Sequence, residues 1–198
     1  MTRALIVIDV QLGFCPGGNL AVPDGGAIVP GINALMPEFP HVILTQDWHP
    51  AGHSSFASAH EGRAPYEVVD MPYGPQVLWP DHCIQGSADA AFHPDLDAVR
   101  ARAIVRKGMN PAIDSYSAFF ENDHATPTGL DGLLRTLGVT DLTLVGLALD
   151  FCVNFSAIDA ARLGYAVTVR EDLTRAIDLD GSREAARSGM AEAGVTLA

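Results

Sequence analysis

Reactive side chains directly follow several short apolar runs of this 198-residue sequence: Asp9, Asp47 with His49, Lys107, and Asp150 with Cys152. Carboxylates, amines, imidazoles and thiols transfer protons, bind metals and attack carbonyl carbons. In open α/β sheets, ligands bind beyond the carboxyl ends of the strands. If each run is a strand of one sheet, these groups converge on one site.

Cys152 lies in the segment GLALDFCVNFSAIDA, directly after an apolar run and at the start of a helical pattern. A helix N-terminus lowers a thiol pKa, so this position favours a nucleophilic thiolate. Backbone N–H groups of the same turn could hold an oxyanion. The alternative is a buried, unreactive thiol, which is common for free cysteines.

Asp9 and Lys107 each allow two interpretations. A carboxylate at the end of a buried strand is costly unless it is paired or tuned for proton transfer, and it can also cap nearby backbone N–H groups. Lys107 could take part in catalysis, or it could form a purely structural ion pair at the end of the sheet.

A metal site is expected around Asp47 and His49. They are two residues apart in TQDWHPAGHSSFA, so on an extended segment both side chains point to one face. His82, in QVLWPDHCIQGS, could supply a third ligand and His53 a further one. This donor set suits Zn²⁺, our first expectation, or Fe²⁺ or Mn²⁺. The alternative is that these are ordinary loop residues.

Short β-branched runs alternate with helical patterns, which predicts an α/β fold with a mostly parallel sheet. The predicted strands are Ala4–Val10, His41–Gln46, Ala103–Arg106, Leu142–Leu147, Ala166–Arg170 and Val195–Leu197. All six are near-continuous apolar runs, so we expect central, buried strands.

Helical spacing of apolar residues predicts four helices: Gly26–Met36, Gly129–Leu137, Phe151–Leu163 and Ser182–Glu192. Gly138, Gly164 and Gly194 stand where left-handed residues end helices. Residues 47–101 break this rhythm, and such long irregular segments are usually functional. We therefore expect one domain, residues 1–198, with this segment covering the site.

The composition of the chain limits the classes of binding partner that we expect. The chain has 24 acidic and 12 basic residues, a net charge of −12 that disfavours nucleic acid and anionic membranes. Three cysteines cannot all pair, and the first apolar run is too short for a signal peptide, so we expect a cytoplasmic protein. A homo-oligomer is compatible with the sequence, which leaves the oligomeric state open.

Together the motifs resemble the isochorismatase-like cysteine hydrolases, and among them the nicotinamidases, also called pyrazinamidases. The resemblance covers nearly the whole chain, and it rests on the three segments quoted above together with ALIVIDVQLGFCPGGNLAV and VRKGMNPAIDSYSAFFEND. It implies a single-domain, three-layer fold in which a six-stranded sheet has helices on both faces. It also implies hydrolysis of nicotinamide, and of pyrazinamide, within NAD salvage.

For the site, the resemblance implies a catalytic triad of Cys152 as nucleophile, Asp9 as proton acceptor and Lys107 as stabilising cation. It implies an oxyanion hole from the amides of Ala148 and Cys152, after a cis peptide between Leu147 and Ala148. It implies a metal bound by Asp47, His49 and His82, with His53 a ligand in some members only. It also implies a substrate pocket lined by the aromatic residues Phe14, Trp79 and Tyr116.

Rival functions remain at this point. Another amidohydrolase of the family, acting on an N-carbamoyl or other small amide, is the nearest, although the metal pair argues against it. Isochorismatase itself has no need of the Cys152 thiol. The rival from another class is a non-catalytic dinucleotide- or metal-binding module, suggested by the order of strands and helices. Dinucleotide binding is disfavoured because QLGFCPGG, not GxGxxG, follows the first strand.

Overall fold

The computed structural model describes residues 2–198, which build a six-stranded sheet whose neighbouring strands all run parallel. The strands are β1 Thr2–Ile8, β2 His41–Asp47, β3 Val68–Met71, β4 Gly74–Val77, β5 Ala103–Lys107, β6 Val139–Leu147, β7 Ala166–Arg175 and β8 Thr196–Leu197. The strand order in the sheet is β5-β2-β1-β6-β7-β8, and β3 pairs with β4 in a separate antiparallel hairpin. The predicted α/β class and parallel sheet are confirmed.

Helices cover both faces of the sheet, because the central strand is apolar on both sides. The helices are α1 Val29–Leu35, α2 Leu130–Thr136, α3 Asn154–Arg162 and α4 Ser182–Glu192. In β1, Ala4, Ile6 and Ile8 pack into one buried core with helices α2, α3 and α4, while Leu5 and Val7 pack into a second core with α1. Burial on two faces explains the near-continuous apolar runs.

The predicted boundaries differ in ways that matter for the site. The first strand ends at Ile8 and not at Val10, because Asp9 turns the chain with φ of +46°. The helix predicted from Phe151 is instead a π-helical turn, Leu149–Val153, which continues as α3. Gly138, Gly164 and Gly194 all have left-handed φ, as expected at helix ends.

Two features depart from the sequence expectations. The hairpin β3–β4 lies inside residues 47–101, where exposed side chains and a proline gave no strand signal. Strand β5 lies at the sheet edge, and Ile104 is 50% exposed there, so the expectation that every strand is central is wrong. Among residues 2–198, no helix is long and apolar enough to cross a membrane.

Candidate active site

The carboxyl ends of β1, β2 and β5 bring three charged side chains together. Asp9 follows β1, Asp47 ends β2, and Lys107 ends β5. Asp47 and Lys107 are register partners on neighbouring parallel strands. All three residues are at most 3% exposed, so their charges interact with little solvent screening.

Lys107 is the cation at the centre of this group. Its Nζ lies 3.0 Å from Asp9 Oδ2, donates a hydrogen bond to Asp47, and donates another to the Ser115 carbonyl at 2.7 Å. The same Nζ lies 3.5 Å from Cys152 Sγ. Burial lowers the pKa of Lys107, but Asp47 and Asp9 outweigh it and raise the pKa well above its usual value, so the ammonium stays charged.

Asp9 is a buried carboxylate with an unusually high pKa. Burial raises the pKa to about 6, although Lys107 lowers it and Asp47 adds a further rise. Thr45 Oγ1 donates to Asp9 Oδ1 at 2.6 Å, which stabilises the ionised form. At neutral pH, Asp9 is therefore ionised yet basic enough to accept a proton.

Cys152 lies in the π-helical turn and is 6% exposed. The expectation that this position lowers the thiol pKa is wrong, because burial raises the pKa well above its usual value, and the lowering by Lys107 is opposed by further rises from Asp9 and Asp47. An Asp9 carboxylate oxygen lies within 4.8 Å of Sγ. The resting group is a neutral thiol, so attack requires a nearby base.

The backbone between β6 and the π-helical turn has the cis peptide expected from the resemblance, between Leu147 and Ala148. Ala148 is buried and lines the same pocket as Cys152. The amides suggested for an oxyanion hole thus belong to residues beside one cavity.

Asp47, His49 and His82 form a buried donor cluster. Asp47 Oδ2 lies 3.7 Å from His49 Nε2 and 3.9 Å from His82 Nε2. The Nδ1 atoms face the carbonyls of Gly108 and Pro80, each at 2.9 Å, which leaves both Nε2 atoms directed at Asp47. Such backbone contacts orient histidine ligands in metal sites, and one carboxylate with two imidazoles fits a divalent cation.

The protonation of the two histidines differs. Burial and His49 lower the pKa of His82 to about 4, so this imidazole is neutral, as coordination requires. Burial lowers the pKa of His49, but Asp47 outweighs it and the net shift is upward. A cation bound here would displace the His49 proton.

His53 is buried behind His49 and does not point at Asp47. Its Nδ1 faces Ser55 Oγ and its Nε2 faces the Asn110 carbonyl, each at 2.8 Å. Its ring centroid lies 4.5 Å from that of His49. Both nitrogens have protein partners in this arrangement, and one of them lies within 4.8 Å of ligand atoms of His49 and Asp114, which together form a second buried group of possible metal ligands.

An aromatic pocket opens onto Cys152, Asp47 and His82. Phe14, Trp79 and Tyr116 line it as the resemblance implies, together with residues not expected from the sequence: Leu20, Asp114, Phe151 and Ile177. Trp79 meets Phe151 edge-on at 4.9 Å and donates from Nε1 to Tyr116 Oη at 3.1 Å. An aromatic lining of this kind suits a flat ring lying between the thiol and the donor cluster.

Comparison with known proteins agrees with this geometry. The isochorismatase domain family matches residues 3–198. The chain is 52% identical to a nicotinamidase of Acinetobacter baylyi, over 97% of this chain and 90% of the relative, and 44% identical to an Escherichia coli nicotinamidase, over 98% and 93%.

Solved structures are similar as well. An Acinetobacter baumanii nicotinamidase/pyrazinamidase superposes with a TM-score of 0.98 at 52% identity, covering 99% of this chain and 95% of the other. PnC1 from L. infantum, in complex with nicotinate, gives 0.87 at 42% identity, covering 100% and 92%. A Pyrococcus horikoshii pyrazinamidase in complex with zinc gives 0.81 at 32% identity, covering 100% and 99%. The chain therefore belongs to the isochorismatase family, among its nicotinamidase members.

Proposed function

We propose that the chain is a nicotinamidase, an amidohydrolase that converts nicotinamide and water into nicotinate and ammonia and also accepts pyrazinamide. The observation that supports this most directly is the Lys107 ammonium between Asp9 and Cys152, in a pocket that also contains the donor cluster. A thiol, a base and a cation at one aromatic pocket suit attack on a ring-bound amide. Relatives with 52% and 44% identity are nicotinamidases.

Asp9 accepts the Cys152 proton as Sγ attacks the amide carbon, and the C–S bond forms as the carbonyl becomes an oxyanion. The amides of Ala148 and Cys152 hold that oxyanion, and Lys107 offsets the charge on Asp9. Asp9 returns the proton to the leaving nitrogen, so ammonia departs and a thioester remains. Water then attacks the thioester with Asp9 as base, which releases nicotinate and restores the thiol.

Asp47, His49 and His82 would hold one divalent cation, for which we propose Zn²⁺. When bound, the cation would act as a Lewis acid that could coordinate the pyridine nitrogen of the substrate. The zinc-bound pyrazinamidase of Pyrococcus horikoshii supports this choice. Phe14, Trp79 and Tyr116 would hold the ring, and we propose that the whole chain acts as one domain in cytoplasmic NAD salvage.

The test is ammonia release from nicotinamide, pyrazinamide and a panel of aliphatic amides. We expect fast release from nicotinamide and its loss in Cys152→Ala, with wild-type activity in the matched control Cys15→Ala, which removes another buried thiol. Full activity in a folded Cys152→Ala would refute the thioester scheme. Turnover of other amides without nicotinamide would refute the substrate.

A further inference from the structure

Asp150 is a buried carboxylate for which the mechanism above has no use. It is 4% exposed and lies two residues before Cys152 in the π-helical turn. Its oxygens accept three hydrogen bonds from the segment after β7: Oδ1 from the Ile177 amide at 3.0 Å, and Oδ2 from the Asp178 amide at 2.7 Å and Ser182 Oγ at 2.5 Å. Hydrogen bonds to an ionised acceptor are about twice as strong as neutral ones.

The segment that Asp150 holds contains strained backbone. Asp178 and Asp180 have φ of 59° and 50°, in the left-handed region that non-glycine residues seldom adopt. Such conformations cost free energy and persist only where surrounding contacts hold them. The carboxylate of Asp150 supplies one such contact, to the amide of Asp178.

Ile177 lines two cavities. One is the aromatic pocket that contains Cys152. The other is an open cavity of about 440 Å³, lined among others by Pro23, Leu149 and Arg175. Of the residues that the structure describes, 2–198, Ile177 alone lines both, so it lies where the two cavities are nearest to each other.

We propose that Asp150 is a positioning residue that limits substrate size by holding Ile177 as the partition between the substrate pocket and the neighbouring cavity. The inference rests on the proposed amidase function and adds its specificity. When Ile177 is released, the pocket joins the larger cavity and gains room for substituents on the ring. A residue that only supported the fold would affect all amide substrates alike.

The test compares kcat/KM for nicotinamide with kcat/KM for nicotinamides carrying methyl or ethyl groups at different ring carbons. Asp150→Asn keeps the size of the side chain but replaces one acceptor oxygen with an NH₂ group, which faces a backbone donor. We expect the ratio of alkylated to parent substrate to rise by about tenfold for at least one ring position, the scale of a few contacts in an apolar pocket. Ile177→Ala should raise it in the same direction, and Ser182→Ala should raise it less.

The matched control is Asp159→Asn. Asp159 is a buried carboxylate of α3 that pairs with Arg162, at 3.6 Å, and within residues 2–198 no hydrogen bond or ion pair joins its side chain to residues 176–182. We expect the wild-type substrate ratio in this variant. A changed substrate ratio in Asp159→Asn would show that losing any buried carboxylate alters specificity, and it would overturn the specific role of Asp150.

Unchanged ratios in Asp150→Asn and Ile177→Ala, even with lower kcat, would overturn the inference and leave Asp150 a purely structural residue. If Asp150→Asn does not fold, Ser182→Ala tests the hold by Asp150 and Ile177→Ala tests the partition, and an unchanged ratio in either variant overturns the inference. The proposed function is judged separately, by wild-type ammonia release from nicotinamide, so the two failures are distinguishable. A wild-type chain inactive on every amide would overturn both.

Discussion

Asp9 and Asp47 are two buried carboxylates that contact the same Lys107 ammonium, yet their pKa values are shifted from the usual value in opposite directions. For Asp9, burial outweighs Lys107, and the pKa rises to about 6. For Asp47, Lys107 and the two histidines outweigh burial, and the pKa falls well below its usual range. One lysine thus serves two groups with different chemistry.

The difference comes from the other neighbours. Asp47 has His49 and His82 within 4 Å of one oxygen, whereas Asp9 has the Thr45 hydroxyl and faces the Cys152 thiol. Titratable groups whose environments separate their pKa values usually divide acid–base roles between them. Asp9 is suited to move a proton, and Asp47 is suited to remain an anion beside a cation.

The largest effect on this division of roles is expected from Asp9→Asn, which removes the base and keeps the shape of the side chain. We expect kcat to fall by about 10³-fold, within the range of lost general-base catalysis, with a smaller change in KM. Ammonia release in the steady state measures both constants. A variant with more than a tenth of the wild-type kcat would exclude Asp9 as the proton acceptor.

Asp47→Ala tests the other carboxylate and should act on metal binding. We expect at least a 100-fold loss of metal affinity and a raised KM, because one of the three donors is gone. Metal titration by calorimetry measures the affinity, and circular dichroism checks the fold. Wild-type protein stripped of metal is the control, because it keeps the Lys107 contact that Asp47→Ala loses; unchanged metal affinity in the variant would move the site elsewhere.

His53→Ala should have a smaller effect than Asp47→Ala. The ring of His53 packs against His49 and both its nitrogens have protein partners, so its loss should weaken metal affinity by about tenfold, the lower limit for outer contacts. The same titration measures it. A loss as large as that of Asp47→Ala would show that His53 is itself a ligand.

Thr45→Val should have the smallest effect at neutral pH but should shift the pH profile. The Thr45 hydroxyl stabilises ionised Asp9 and lowers its pKa, so its removal should raise that pKa by about one unit from about 6. Because the base must be ionised, activity is lost as pH falls through the pKa, and the acidic limb of kcat/KM should move to higher pH. An unmoved limb would mean that another group controls it.

The site could be predicted in part because its residues adjoin features that the sequence shows. Asp9, Asp47 and Lys107 end apolar runs, and those runs became neighbouring strands in the expected parallel sheet. A place for Thr45 near the site could also have been predicted, because it lies two residues before Asp47 on the same strand face. The positions of these residues thus follow from local pattern and sheet topology.

Other features depend on contacts distant in sequence. Ile177 reaches the pocket from the end of β7, and no local pattern marks it as a pocket residue. The hairpin β3–β4 has no buried apolar face to generate an alternating signal. The thiol pKa was predicted with the wrong sign because the helix dipole is a local effect, whereas burial and the carboxylates act through tertiary structure.

Lys107 ends β5, which is an edge strand with a single neighbour, β2. Edge strands are among the elements that fluctuate open at a lower free energy than the centre of a sheet. Within residues 2–198, detachment of β5 removes the one ammonium shared by Asp9 and Asp47 and leaves two buried anions facing each other. The ion pairs therefore stabilise the edge of the sheet, and we expect local opening of β5 to abolish the proposed activity before the centre of the sheet opens.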